Sequence, residues 1–226
     1  EVQLLEDYVT GGGHLLLLVG QDKGALPNLE GLMERAGLTM ASGYIADPQR
    51  CYRSLQGQDS YYSLAPNFTV GSLSSSLSAD SQFMILNSRG FTQLETLPDD
   101  VTIEEVLTTS EEAYAVTQTE QVQGQYLLGA IATLGDNEGT MTVFSAALVN
   151  EAVLTYYPSM GNEQLFINAV TAHMDQTSTF SIPSKSLEET YNTITLAGPL
   201  SFLFVLVLPV GTLIIGLVIW MRRRRR

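Results

Sequence analysis

The stretch that decides the fold runs from Tyr126 to Asn150 and reads YLLGAIATLGDNEGTMTVFSAALVN. Two apolar runs, each of strand length, flank the segment Gly135–Gly139. Its sequence, GDNEG, is rich in residues that favour tight turns between antiparallel strands. The pattern therefore predicts a β-hairpin, and this is the clearest pair of strands in the sequence.

The N-terminal segment predicts a helix followed by a strand. Residues 1–10 (EVQLLEDYVT) place their apolar side chains on one helical face, and Gly11–Gly13 are expected to end the helix. Residues 14–20 (HLLLLVG) form a continuous apolar run that is typical of a central parallel strand. Such a strand needs another strand before the helix. Because none precedes Glu1, we expect the sequence to be a fragment, the alternative being that a targeting or transmembrane segment has been removed.

Helices and strands continue to alternate along the chain. A helix is predicted from Pro27 to Gly37, and residues 162–174 (NEQLFINAVTAHM) carry an apolar helical stripe. Residues 82–88 (QFMILNS) predict a buried strand, and another strand is predicted to end near Thr108. Residues 47–50 (DPQR) are predicted to form a turn. Residues 55–82 are polar and serine-rich, and residues 72–81 (SLSSSLSADS) are interpreted as weak helix or loop. This alternation predicts an α/β fold in which helices cover the faces of a sheet.

The C-terminal part of the sequence predicts a transmembrane helix. No charged residue occurs from Leu196 to Met221. This uncharged segment is longer than the roughly 20 residues needed to cross about 30 Å of hydrocarbon. A soluble helix of this length would normally show a polar stripe, and this segment has none. Trp220 is expected to anchor the end of the helix at the lipid interface. Pro209 is compatible with the prediction because membrane helices tolerate proline.

Five consecutive arginines follow this segment, namely Arg222, Arg223, Arg224, Arg225 and Arg226. Positive residues that flank a span stay on the cytoplasmic side. The predicted organisation is therefore an extracytoplasmic α/β domain over 1–190, a juxtamembrane linker over 191–199, a transmembrane helix over 200–221 and a cytoplasmic basic tail over 222–226. The predicted location is the cell membrane, with the lipid bilayer as one partner.

Charge and cysteine content limit which partners the chain can bind and which class of protein it belongs to. The chain carries 24 acidic and 11 basic residues; without the five terminal arginines, 24 acidic against 6 basic residues leave −18 on the outer part. Such a surface repels nucleic acid and anionic headgroups, so no nucleic acid partner is expected, and solubility explains most of the charge. The single cysteine, Cys51, excludes an internal disulfide, which fits a bacterial surface protein with a hydrophobic core.

The sequence shows no catalytic or metal-binding pattern. The two histidines, His14 and His173, are far apart in the sequence and are interpreted as structural, so no metal site is predicted. The sequence has no Gly-x-Ser-x-Gly pentad and no Walker sequence, and Cys51 lies in a polar stretch that lacks a strand-to-helix elbow. We therefore predict a protein that is not an enzyme and that needs no cofactor.

One loop is a candidate ligand site. Residues 19–24 (VGQDKG) follow a predicted strand and lead into a helix, at the edge of the sheet where open α/β folds bind ligands. Gln21, Asp22 and Lys23 are the candidate ligand-binding residues there. The glycines of residues 11–13 precede their strand instead of following it, so they are interpreted as a helix stop and not as a phosphate loop.

Several segments, taken in order, resemble a known family. The chain is similar to the C-terminal part of the GldG-like family, auxiliary proteins of ABC-type transport systems that were first associated with gliding motility. The resemblance spans nearly the whole chain and rests on the order of these segments: LEDYVTGGGHLLLLVG (5–20), LPNLEGLMERAGLTMASGYIADPQR (26–50), VTIEEVLTTSEEAYAV (101–116), GQYLLGAIATL (124–134), GTMTVFSAALVNEAVLT (139–155), GNEQLFINAVTAHM (161–174), and 182–226.

The resemblance implies an outer domain related to the flavodoxin-like and glutamine-amidotransferase-like (Rossmann-like) folds, with a membrane anchor at each end. It also implies ABC permease and ATPase subunits as partners. This sequence departs from the family at residues 144–148 (FSAAL), where relatives often carry an Asp-rich strand end. A role of that aspartate is therefore not transferred to this chain.

Two functions follow as hypotheses. The first is a non-catalytic, membrane-anchored accessory subunit of an ABC-type transport system, whose outer domain interacts with partner subunits. The alternative is an extracytoplasmic small-ligand receptor or enzyme that uses the carboxyl edge of the sheet, at residues 21–23.

Overall fold

The chain divides into two units, Glu1–Pro183 and Ser184–Arg226. A computed structural model describes residues 2–20, 26–53, 57–174 and 202–224. The first unit is a mixed α/β domain, and the described part of the second unit is an apolar helix. The linker predicted over 191–199 lies outside the described residues.

The described elements follow each other in this order along the chain. The α-helices are α1 (Val2–Thr10), α2 (Pro27–Arg35), α3 (Glu151–Tyr156), α4 (Asn162–Thr171) and α5 (Leu208–Arg224). A one-turn 3-10 helix covers Ala146–Val149, and a π-helical turn covers Leu203–Val207. The strands are β1 (His14–Val19), β2 (Leu38–Met40), β3 (Tyr44–Ala46), β4 (Cys51–Arg53), β5 (Asp59–Leu64), β6 (Asn67–Phe68), β7 (Ile85–Leu86), β8 (Phe91–Gln93), β9 (Val101–Thr108), β10 (Tyr114–Val116), β11 (Gln121–Gln123), β12 (Leu127–Leu134) and β13 (Gly139–Ser145).

Seven of these strands form one sheet around β12. One edge of β12 pairs with β13, which pairs in turn with β1. The other edge of β12 is shared by β9 and β8, which continue to β6 and β2 respectively. The register between β12 and β9 shifts between Leu127 and Ala130. Because irregular pairing of this kind increases local twist, the sheet curls where β12 changes neighbours.

The predicted hairpin is confirmed. Strands β12 and β13 are antiparallel from Leu134 opposite Gly139 to Gly129 opposite Phe144. In the connecting turn, Gly135 and Glu138 have φ angles of 72° and 53°, the left-handed backbone that tight turns use. Nearly every residue of both strands is buried, so the hairpin lies at the centre of the domain.

Helices cover both faces of this sheet, as predicted. On one face, Val9 of α1 and Met33 of α2 pack with β12 residues such as Ala130. On the other face, Leu165 of α4 packs in a core that includes Ile131, the neighbour of Ala130 in β12. Consecutive side chains of a strand point to opposite faces, so β12 contributes residues to both hydrophobic cores.

The apolar strand β1 occupies a different place from the one expected. It is parallel to β13, as predicted, but among the described strands it pairs with β13 alone. It therefore lies at one side of the described sheet and not at its centre. Leu15, Leu16 and Leu17 are half-buried beneath the flanking helices, whereas Leu18 is 38% exposed. The residues of β1 are apolar because helices cover both faces of the strand. Such coverage does not require a neighbouring strand on each side.

The polar segment of residues 55–82 holds two strands that the sequence did not predict, whereas residues 72–81, interpreted as weak helix or loop, form turns and loop. Strand β5 forms a small sheet with β4 and β7, and β6 joins the edge of the large sheet through β9. Tyr61 and Tyr62 of β5 are both exposed, so the strand lacks the apolar alternation that reveals a half-buried strand. Residues 82–88, predicted as one strand, contribute only Ile85–Leu86 to a strand, although Phe83 and Met84 are buried as expected.

We predict that the Gly129→Ala substitution destabilises the domain. A Cβ atom at Gly129 would contact Cδ1 and Cε1 of Phe144, which is fully buried. Overpacking of this kind costs about 1–3 kcal/mol. Thermal unfolding of the full chain in detergent, followed by circular dichroism, should show a midpoint lower by about 2–4 °C for each kcal/mol.

The matched control is Gly31→Ala on α2. Gly31 is exposed, and a Cβ there meets no atom within 4 Å. Alanine is the better helix former, so this variant should unfold at the same temperature or slightly higher. Equal midpoints for the two variants would contradict the packing of Phe144 over Gly129.

Candidate functional site

The described residues contain one helix that is long and apolar enough to cross a membrane. It covers Phe204–Arg224, 21 residues with a mean hydropathy of 2.6. At 1.5 Å per residue its length is about 31 Å, close to the thickness of the hydrocarbon core. The helix begins with the π-helical turn, and Pro209 lies just after this turn, inside the helix, where membrane helices tolerate proline.

The residues predicted to set membrane topology lie at the end of this helix. Trp220 is 57% exposed, and the guanidinium of Arg224 lies 5.3 Å from the centre of its ring. This distance is within the range of a cation–π contact. Arg222 and Arg223 occupy the same last turn. The remaining residues of the predicted tail, Arg225 and Arg226, lie outside the described residues.

The candidate ligand residues Gln21, Asp22 and Lys23 also lie outside the described residues. The structure does place the strand that leads to them. Because β1 and β13 are parallel, Val19 is opposite Ser145, and the carboxyl ends of both strands meet at one edge. Ser145 is buried, and its Oγ accepts a hydrogen bond of 3.4 Å from the N–H of Ala147 at the start of the 3-10 helix.

The opposite end of the same two strands holds both histidines of the chain. The rings of His14 and His173 are stacked, with 3.6 Å between their centres and 10° between their planes. The Oγ1 atom of Thr140 lies 2.9 Å from Nδ1 of His14 and 3.1 Å from Nε2 of His173. A shallow cavity of about 280 Å³ surrounds this cluster, which we call the histidine pair. The prediction of two separate structural histidines thus missed their proximity.

A second cavity lies beside the small sheet formed by β4, β5 and β7. It has a volume of about 430 Å³ and a mostly polar lining that includes Arg50, Tyr52, Asn67, Asp80 and Gln82. Nε of Arg50 donates to the carbonyl of Ala65 at 2.9 Å. The hydroxyl of Tyr52 donates to the carbonyl of Phe83 at 3.0 Å, and burial raises its pKa. The sequence did not reveal this cavity, because its lining comes from three short segments without a common motif.

A buried carboxylate fixes the turn that carries Arg50. Asp47, which is 1% exposed, follows β3 and begins the turn that the sequence DPQR predicted. Its Oδ1 accepts from the N–H groups of Gln49 and Arg50 and from the hydroxyl of Ser110, while its Oδ2 accepts from the N–H of Ser110. These bonds, 2.7–3.0 Å long, tie the turn to the loop after β9.

The surroundings of Cys51 do not favour a nucleophile. The thiol is half-buried, and burial, followed by the charges of Asp59 and Asp47, raises its pKa. A raised pKa reduces the thiolate that nucleophilic attack requires. Among the residues that the structure describes, no group of three or more His, Cys, Asp or Glu side chains is placed to hold a metal ion.

Comparison with known proteins supports the fold class at a coarse level. No protein-family model matches the chain, and no curated protein matches it either. Among solved structures, the chain is similar to the mmIFT52 N-terminal domain, with 14% sequence identity and a TM-score of 0.52. The similarity covers 77% of this chain and 72% of that domain. At such low identity the similarity shows a shared mixed α/β fold and nothing about function.

We predict that Asp47→Asn destabilises the domain more than an ordinary surface substitution. Both carboxylate oxygens accept hydrogen bonds from N–H groups, so an amide must turn its NH₂ group towards a donor. Losing a charged acceptor and leaving a buried donor unpaired should cost about 3 kcal/mol. Thermal unfolding of the full chain measures the loss.

Asp99→Asn provides the control for the Asp47 variant. Asp99 is exposed, so removing its charge should change the free energy of unfolding by less than about 0.5 kcal/mol. If Asp47→Asn also unfolds at the wild-type temperature, the role assigned to the buried carboxylate is wrong.

Proposed function

We propose that this chain is a membrane-anchored accessory subunit of an ABC-type transport system. In this proposal the unit Glu1–Pro183 lies outside the cell membrane and binds the permease or another subunit, without catalysing a reaction. The ATPase that supplies energy is a separate protein. The single observation that carries the proposal is a mixed α/β domain that shares one chain with an apolar helix ended by arginines.

The order of charges along the helix supports the proposed orientation. The span Phe204–Met221 carries no ionisable side chain, and Arg222–Arg226 follow directly. Each arginine at the centre of a bilayer would cost about 2.5–3.5 kcal/mol, so the cluster does not cross readily and stays in the cytoplasm. The rest of the chain, with its net charge of −18 from 24 acidic and 6 basic residues, then lies on the outer side.

The resemblance to the GldG-like family supports the choice of partner. The sheet agrees with that proposal in one respect: β1 and β13 are parallel and carry helices on both faces, as in flavodoxin-like and glutamine-amidotransferase-like folds. The other pairs among the described strands are antiparallel. The finer fold relationship is therefore part of the proposal.

The orientation can be measured with single cysteines in a Cys51→Ser background. Tyr156, which is 76% exposed on α3, is replaced by cysteine in one variant, and Arg224 is replaced in the other. We expect a membrane-impermeant maleimide to label the Tyr156 variant on intact cells. The Arg224 variant should react only after the cells are permeabilised. The reverse pattern would contradict the proposed topology.

Co-purification tests the proposed partners. The full chain, tagged in its native host and extracted in mild detergent, should enrich an ABC permease and its ATPase as measured by mass spectrometry. A control chimera carries residues 202–226 on an unrelated outer domain. It should reach the same membrane but enrich neither subunit, because the α/β domain is proposed to make the contacts.

Two results would count against this assignment. Equal enrichment by the chimera would move the contacts to the helix, and no enrichment by either protein would remove the transport system from the proposal.

A shift in the unfolding temperature of the full chain by a small metabolite, lost in an Asp22→Ala, Lys23→Ala variant, would instead favour a ligand receptor.

A further inference from the structure

The histidine pair joins two parts of the domain that are distant in the sequence. His14 is the first residue of β1 at one side of the described sheet, and His173 lies two residues after the end of α4 at Thr171. Their stacked rings and the shared hydroxyl of Thr140 on β13 connect the end of α4 to the sheet. Beyond Met174, the chain leads to the apolar helix that begins near Phe204.

The hydrogen bonds of the pair depend on its protonation. The hydroxyl of Thr140 has one proton, so it donates to one ring nitrogen and accepts from the N–H of the other. Two neutral imidazoles satisfy this arrangement when their tautomers are complementary. If both rings carry a proton on each nitrogen, the hydroxyl can donate to neither, and two positive rings face each other at 3.6 Å. Acid therefore replaces a stacked contact with a repulsive one.

Among the described residues, the groups that line the cavity around the pair offer no compensating negative charge. In the described part of the chain, the cavity is lined from α1 by Tyr8, from the strands by leucine and threonine, and from α4 by Ala169 and Val170. The two acidic residues of α1 are engaged elsewhere, because Glu6 pairs with Arg35 and Asp7 accepts from Gln3. Asp136 and Glu138, in the turn before β13, are not among the lining residues.

We propose that the histidine pair is an acid-sensitive latch, which holds the end of α4 against the sheet at neutral pH and releases it on acidification. In the sequence, the released end of α4 precedes the apolar helix Phe204–Arg224. This role goes beyond the accessory function and does not depend on which transport system binds the chain.

The surroundings of His173 determine whether acid closes or opens the latch. Burial lowers its pKa, and the charge of His14 lowers it further. The opened form therefore binds protons more tightly than the closed form. The latch is complete above the ordinary histidine pKa of about 6.5 and weakens as the pH falls towards the lower pKa of the closed form. For each additional proton that the open form takes up, opening becomes up to about tenfold more favourable per pH unit.

Hydrogen exchange of the full chain in detergent tests the proposal. Protection of residues 162–174 is compared at about pH 7.5 and about pH 5.5, the range in which histidine titrates, after correction for the intrinsic pH dependence of exchange. We expect wild type to lose at least several-fold in protection on acidification, while β12 keeps its protection. Equal protection of residues 162–174 at both pH values would overturn the latch.

Variants separate the pair from other titrating groups. His173→Phe keeps an aromatic ring for stacking but cannot take up a proton, so its loss of protection on acidification should be absent. His14→Phe leaves His173 able to take up a proton, so it should reduce the loss of protection without abolishing it. Asp175 lies beside the pair in the sequence but outside the described residues, and Asp175→Asn should respond to acid as wild type does. If Asp175→Asn abolishes the response, or if His173→Phe retains it, the pair is not the sensor.

A spectroscopic measurement keeps the test decisive even if these variants do not fold. The chain has two histidines, so every imidazole signal in a nuclear magnetic resonance titration of wild type belongs to the pair. Coupled titration of the two rings supports the latch. Independent titration of both rings near the ordinary pKa would overturn it.

Discussion

The architecture depends on one constraint, the burial of the β12–β13 hairpin on both of its faces. A strand whose side chains are apolar on each side must be covered twice, because either face left in water would expose a row of hydrophobic groups. Helices α1 and α2 cover one face, while α4 and the 3-10 helix cover the other. Close packing at the centre is achieved where the ring of Phe144 lies over Gly129. The positions of the remaining strands follow from the edges that this hairpin leaves open.

The parts of the fold that were predictable are those in which local pattern and burial agree. The hairpin and α1 combine apolar runs with clear turn or stop residues, and α4 has an apolar helical stripe; all three were found where the sequence placed them. The place of β1 was not predictable, since coverage by α1 and α4 makes a strand at the side of the sheet as apolar as a central one. Strand β5 was missed for the opposite reason, because exposed tyrosines and serines give it no apolar face.

Some of the candidate sites could likewise be predicted from the sequence, and others could not. The apolar helix and its arginines were visible in the sequence, because hydrocarbon thickness and charge translate directly into composition. Asp47 was visible only as part of a turn; its bonds to Ser110 depend on a contact across 63 residues. The histidine pair spans an even longer separation and required the parallel alignment of β1 with β13, together with the path of α4, before the two rings could be placed together.

The chain contains a single tryptophan, and it lies at the end of the apolar helix. Intrinsic indole fluorescence therefore reports on the helix alone and is insensitive to unfolding of the α/β domain, which contains tyrosine as its only comparable fluorophore. The same isolation makes the emission wavelength and its quenching by brominated lipids a label-free test of whether this end of the helix enters a bilayer, and how deeply. Melting of the domain and insertion of the helix can thus be followed in one sample by two independent optical signals.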